Sequence, residues 1–244
     1  MIMATFEIIE GKPGQGKSLF TARLARKLVK RNKKWFENTG DVRYIYSNIK
    51  FSEAFEKESE ITKNGVQIPL IRYWSSTHEI VSFRDIDLLW DEIATELDSR
   101  NYANLSEELK RFLSQYRKRG VDIYANTQDF SMIDARARLM ITRVATLTKL
   151  LGSADPSPTR PPVKYIWGLV MIRDFEFILS DDPHNKRYTL VPSFFFIDRS
   201  DVEIYDTTQD IPLSPPLPYR HTVRYCEHVD HPDYKCEYSR IIHK

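Results

Sequence analysis

Apolar residues fall along this chain in short bursts whose spacing alternates between the strand and helix periods. The first burst, 5–10, has the length of a strand and stops at a glycine-rich segment; Leu19, Leu24, Leu28 and Val29 then recur at helical spacing over 17–33. Arg23, Arg26, Lys27, Lys30 and Arg31 fall on the outer side of that helix and read as a solvated face. Residues 42–49 and 70–74, rich in β-branched and aromatic side chains, predict two further strands, and the charged, unpatterned stretch 51–67 between them predicts a surface excursion. An apolar strand at 86–90 runs into Asp91 and Glu92. An amphipathic helix at 106–118 is stopped by Gly120, and 121–126 is the next core strand.

Beyond residue 151 the texture changes, because the proline- and serine-rich stretch 152–162 does not continue regular structure. Two β-rich segments follow, 164–179 and 188–204, separated by a turn at 181–185; they predict a hairpin that extends the core sheet or caps it. A second proline-rich break at 211–218 precedes a polar tail. The expected organisation is a core over 1–151, a β-rich extension over 152–211 and a tail over 212–244.

The charges nearly balance, 36 Lys and Arg against 34 Asp and Glu, so contact with nucleic acid has to be local rather than driven by a global field. Two cysteines in 244 residues do not make a disulfide scaffold and suit a reducing compartment. The first residues lack the basic start and apolar stretch of a signal peptide, and the longest apolar runs, 166–172 and 194–197, fall short of the roughly 18 to 20 residues that cross a bilayer. The expectation is a cytoplasmic protein with no transmembrane segment of its own.

The segment Gly11, Lys12, Pro13, Gly14, Gln15, Gly16, Lys17, Ser18 matches G-x-x-x-x-G-K-[ST] in full and stands between an expected strand and an expected helix, as a phosphate-binding P-loop requires. Glycines let backbone N–H groups turn inward around phosphate oxygens, and the helix N-terminus adds its positive end. Lys17 is expected to reach the β- and γ-phosphates of ATP, and the Ser18 hydroxyl to hold Mg²⁺. Asp91, ending an apolar strand, is placed to hold the same Mg²⁺ through water, with Glu92 beside it as the base for the attacking water. The plainer reading of that pair is an acidic first helical turn. Gln128, ending the following core strand, is placed to touch both γ-phosphate and water; its plainer reading is a loop residue. With strands alternating with helices to residue 150, the expected fold class is α/β: a RecA-like P-loop NTPase core with a central, mostly parallel sheet, helices on both faces, and a C-terminal β-hairpin extension with a polar tail.

The run from Gly11 to Ser18, then Tyr46-Ser47-Asn48-Ile49, Leu89-Trp90-Asp91-Glu92, Arg117 to Ile123, Asn126-Thr127-Gln128-Asp129 and Ile133-Asp134, resembles the zonula occludens toxin family in order and spacing. That family includes the assembly and export ATPases of filamentous phages and resembles FtsK/HerA-type translocation motors. Ile204-Tyr205-Asp206-Thr207 is similar to the segment that closes its cytoplasmic domain. Many members continue into a transmembrane helix; here 212–244 has no apolar span, and the toxin activity in the family name gains no support.

The resemblance implies an ATPase of a virus or mobile element that drives DNA packaging or virion assembly and extrusion. Its implied partners are DNA, viral structural or membrane assembly proteins, and further copies of itself in a ring whose size stays open, a hexamer included. It also implies an arginine supplied across the subunit interface, which lands on Arg117, with Arg119 second and Arg136 or Arg138 third; complementing their own helix end is the alternative for these residues. Two other readings stay open. One is an assembly factor or nucleotide switch that organises a partner complex without moving DNA. The other is a small-molecule kinase, against which Glu92 directly after Asp91 argues. In the tail, Cys226, His228, His231 and Cys236 are enough ligands for one tetrahedral zinc, although their spacing fits no standard finger and the metal-free reading stays open.

Overall fold

The computed structural model describes residues 4–98, 105–152, 168–177, 186–188, 192–197 and 199–204. In chain order these form β1 (Phe6–Glu10), α1 (Lys17–Thr39), β2 (Ile45–Ser47), α2 (Glu53–Glu58), β3 (Glu60–Lys63), β4 (Val66–Pro69), β5 (Ile71–Tyr73), α3 (Thr77–Ile80), β6 (Asp87–Trp90) and α4 (Ile93–Glu96). Then come α5 (Glu107–Gln115), β7 (Asp122–Thr127), α6 (Ala135–Arg138), β8 (Arg143–Gly152), β9 (Gly168–Phe177), β10 (Lys186–Tyr188), β11 (Ser193–Ile197) and α7 (Arg199–Ile204).

A nine-stranded sheet runs β10-β9-β8-β1-β7-β6-β2-β5, with β11 also paired to β9. The strands from β8 to β5 are parallel, as helical crossovers demand, and β9 to β11 add antiparallel strands at one edge. The late β-segments therefore extend the sheet rather than cap it.

Because the inner strands are covered on both faces, they are apolar at successive positions. Phe6, Ile8, Leu88, Trp90, Ile123 and Ala125 meet Leu109, Phe112 and Leu113 of α5 on one side. On the other, Ile45, Leu89 and Tyr124 meet Ala22, Ala25, Leu28 and Val29 of α1.

Three sequence expectations change. The helix expected over 17–33 continues to Thr39, where Gly40 takes φ 75° and its N–H bonds to Phe36 O at 2.8 Å. Residues 51–67 are not an unpatterned excursion: Ser52 caps α2, Phe51, Phe55 and Ile61 are buried, and Asn64-Gly65, both at positive φ, close the β3–β4 hairpin. The expected strand through residue 204 gives way at Arg199 to α7, whose buried Asp201 accepts from Arg23 and Arg26 at 3.5 and 3.4 Å. Two members of the supposedly solvated face of α1 are thus paired.

A third member, Arg31, joins a buried ion cluster at the amino-terminal edge of the sheet. Asp87 accepts from Arg31, from Arg43 at 3.0 Å and from Asn32 at 2.8 Å, while Arg43 also reaches Asp122 at 3.1 Å and Ile86 O at 2.8 Å. Burial, and then the adjacent Asp87 charge, push the Asp122 carboxyl above its ordinary value, opposed by the Thr5 N–H and the two arginines. Asp87 is 0% exposed, so removing it takes from Arg31 and Arg43 their shared buried acceptor and leaves Asp122 as the remaining carboxylate of the cluster. Asp87→Ala is expected to lower unfolding free energy by about 3 to 5 kcal/mol in urea titrations, and a loss below about 1 kcal/mol would show that the arginines do not depend on it.

Candidate nucleotide site

The cradle grows out of β1 at the carboxyl edge of the sheet. Gly11 N–H donates to Thr127 O at 3.3 Å, carrying the β1–β7 ladder one residue into the loop. Gly14 and Gly16 then take φ 78° and 91°, conformations that a side chain disfavours, and Gly16 leads directly into α1. Lys17 arches back over the loop, its Nζ 2.6 Å from Gly11 O and 3.5 Å from Lys12 O. Neighbouring strands pin the loop. Gln15 Oε1 accepts from Lys149 N–H of β8 at 2.6 Å, and Glu10 accepts from Phe130 N–H at 2.9 Å and from the Thr146 hydroxyl at 3.0 Å.

Asp91 follows β6 on the same edge. Asn48 holds its backbone, accepting from Asp91 N–H at 2.7 Å and donating to Asp91 O at 3.2 Å. Asn126 Nδ2 donates to Asp91 Oδ1 at 2.8 Å, and Asn126 Oδ1 accepts from the Thr21 hydroxyl at 2.9 Å. Glu92 comes next at φ 51°, ψ 47°, a left-handed conformation that is uncommon for a glutamate and that concentrates at functional sites.

The fold thus brings the P-loop, Asp91, Glu92 and the exposed Gln128, one residue past Thr127, to a single edge. Lys12 and Pro13 are exposed in the loop, and Ser18 is half-buried in the first turn of α1. Arg117 and Arg119 lie at the opposite edge, before β7, whose six residues separate them from their own cradle by about 20 Å. Arg117 is exposed, its Nε donating to Tyr116 Oη at 3.0 Å. Arg119 donates to Val81 O and lies over the Phe112 ring, and burial, then Arg84 and Arg111, hold its pKa below the ordinary value. Arg138 stands over the Phe130 ring. Cys226, His228, His231 and Cys236 fall outside the described residues.

The turn of the loop depends on Gly11. A Cβ on Gly11 would stand 3.3 Å from both Gln15 Cβ and Leu147 O, so only the smallest residue leaves this turn its shape. The hydroxyl of Ser18 and the carboxylate of Asp91 are hard oxygen donors, the type Mg²⁺ takes. No group of three or more His, Cys, Asp or Glu with metal-site geometry occurs among the described residues. No helix among the described residues is long and apolar enough to cross a membrane.

Sequence reasoning missed Thr21, Asn48 and Asn126 as site residues. The available signal was an asparagine inside an apolar core strand, a place where that residue type is depleted.

No protein-family model matches the chain, and no curated protein sequence does. Among solved structures, its fold is similar to the N-terminal domain of zonular occludens toxin from Neisseria meningitidis, at 18% identity and a TM-score of 0.47 over 84% of this chain and 100% of that one. It is also similar to the genome packaging NTPase B204 from Sulfolobus turreted icosahedral virus 2 in complex with ATP-gammaS, at 12% identity and a TM-score of 0.41 over 64% of this chain and 78% of that one. A third similar fold is the flagellar accessory protein FlaH from Methanocaldococcus jannaschii, at 14% identity and a TM-score of 0.38 over 70% and 78%. These are likenesses of fold.

Proposed function

We propose that this chain binds ATP at the loop from Gly11 to Ser18 and hydrolyses it, as the ATPase of a virus or mobile element that drives DNA packaging or virion assembly and extrusion. The observation that carries the reading is the convergence, on the carboxyl edge of one parallel sheet, of a complete P-loop with a carboxylate pair whose first member is fixed by two asparagines.

Backbone N–H groups of the loop and Lys17 would hold the β- and γ-phosphates. Ser18 and Asp91 would hold Mg²⁺, which when bound neutralises charge developing on the phosphate oxygens. Glu92 would take the proton of the attacking water at its carboxylate, and Gln128 would orient that water. The motor half of the reading is supported by the motif order that resembles the zonula occludens toxin family; DNA, a homo-oligomeric ring, viral or membrane assembly partners and a cytoplasmic site of action belong with it.

The test measures phosphate release with and without DNA, alongside negative-stain images with and without a nonhydrolysable ATP analogue. Hydrolysis stimulated severalfold by DNA, together with rings, is the expected result. Hydrolysis that ignores DNA would favour an assembly factor that translocates nothing, and a chain that hydrolyses no nucleotide would overturn the proposal.

A further inference from the structure

A buried hydrogen-bond chain runs from Thr21 through Asn126 to Asp91. Thr21 is 2% exposed and Asn126 is 1% exposed, so each polar atom they bury must find a partner or cost stability. The direction of the chain follows from donor chemistry. A carboxylate only accepts, so Asn126 presents Nδ2 to Asp91 Oδ1 at 2.8 Å. That orientation leaves the amide oxygen facing the Thr21 hydroxyl at 2.9 Å, where Thr21 must donate. The same hydroxyl lies 3.1 Å from Lys17 O, so its single proton has two acceptors, one in its own helix and one leading to Asp91.

From the other side, the Asn48 amide acts like a strand backbone. It bonds both Asp91 N–H and Asp91 O, continuing the β2–β6 ladder past the Ser47–Leu89 pair. With its backbone and Oδ1 both fixed, Asp91 has Oδ2 as the carboxylate oxygen outside this network.

We propose that Asn126 is a positioning residue for Asp91, fixing which carboxylate oxygen faces the metal and tying that orientation through Thr21 to the helix that carries Lys17 and Ser18. The proposal rests on the nucleotide reading above. A side chain that merely pinned α1 to β7 would serve packing alone, and the two roles separate by their demand for Mg²⁺.

Asn126→Asp is the discriminating variant: it keeps the size of the side chain and puts an acceptor where the Nδ2 donor stood. It is expected to lose at least about tenfold in kcat and to need severalfold more Mg²⁺, without a matching fall in Tm. Asn126→Ala is expected to lose about tenfold in kcat at every pH and to need severalfold more Mg²⁺ to tighten a fluorescent ATP analogue, while affinity without Mg²⁺ stays within about twofold. Thr21→Val, which keeps the shape and removes the donor, should move the same two readouts in the same direction by less.

A deficit of Asn126→Asp that follows its Tm would overturn the positioning role; so would variants that match wild type in kcat and Mg²⁺ demand. The two readings fail separately. A wild-type chain that binds no nucleotide removes the function itself and this proposal with it, whereas an active wild type with normal variants removes only the role of Asn126. If wild type binds nucleotide without hydrolysing it, the Mg²⁺ titration decides by itself.

Discussion

Glu92→Gln is expected to slow ATP turnover by a factor on the order of 10² or more with nucleotide affinity nearly unchanged, whereas Lys17→Ala is expected to lose nucleotide binding itself. Glutamine keeps the size and much of the hydrogen bonding of the glutamate but cannot take a proton from water, so the loss reports base chemistry rather than shape. The backbone gives an independent reason to look here. Glu92 holds φ 51° directly after a residue fixed by two asparagines, and its carbonyl is used by Thr95 N–H at 2.9 Å. Strain of that kind persists where its surroundings over-determine it. Turnover and analogue binding are measured on both variants in one assay. Full activity in Glu92→Gln would move the base elsewhere. Glu96, exposed on α4, would be next, because Asp87 has both oxygens engaged by Arg31, Arg43 and Asn32 at the far end of β6.

The cradle was legible in the sequence because its chemistry is local: three glycines, a lysine and a serine act within one turn, and a strand and a helix bracket them. The core strands were legible for a related reason, since burial on both faces makes a parallel strand nearly continuous in apolar residues. What stayed hidden depends on partners distant in the chain. The second half of α1 broke its apolar period at Asn32, which is 0% exposed yet polar because Asp87 and Arg43 O receive its amide. Arg23 and Arg26 looked solvated because their partner, Asp201, lies far along the chain in a helix that the β-rich composition masked. β8 carries threonines between its apolar residues and gave no clear period. Asn126 was readable only as an exception, and its meaning required Thr21 and Asp91 at hydrogen-bond distance on either side.

Arg117→Ala is expected to cost roughly 10³ in turnover, the scale of an arginine that neutralises charge on a transferring phosphoryl group from across a subunit interface, and to do so in trans. Geometry already disfavours a cis role: Arg117 lies about 20 Å from its own cradle, at the opposite end of β7. It also separates the two leading candidates. The Arg117 side chain is exposed and touches its neighbour Tyr116, so it is available to another copy. Arg119 is engaged with Val81 O and the Phe112 ring, so Arg119→Ala should act through the interlock of the α3–β6 and α5–β7 loops and lower Tm. Mixing decides between trans and cis. Arg117→Ala protein keeps a good cradle, Lys17→Ala protein keeps a good arginine, and each alone should be inactive. In a head-to-tail ring assembled at random from equal amounts, roughly a quarter of the interfaces join a good cradle to a good arginine, so activity should return toward that fraction of wild type. An arginine that acts within its own subunit, or only holds the loop together, has no route to rescue, and the mixture should then stay inactive at every ratio.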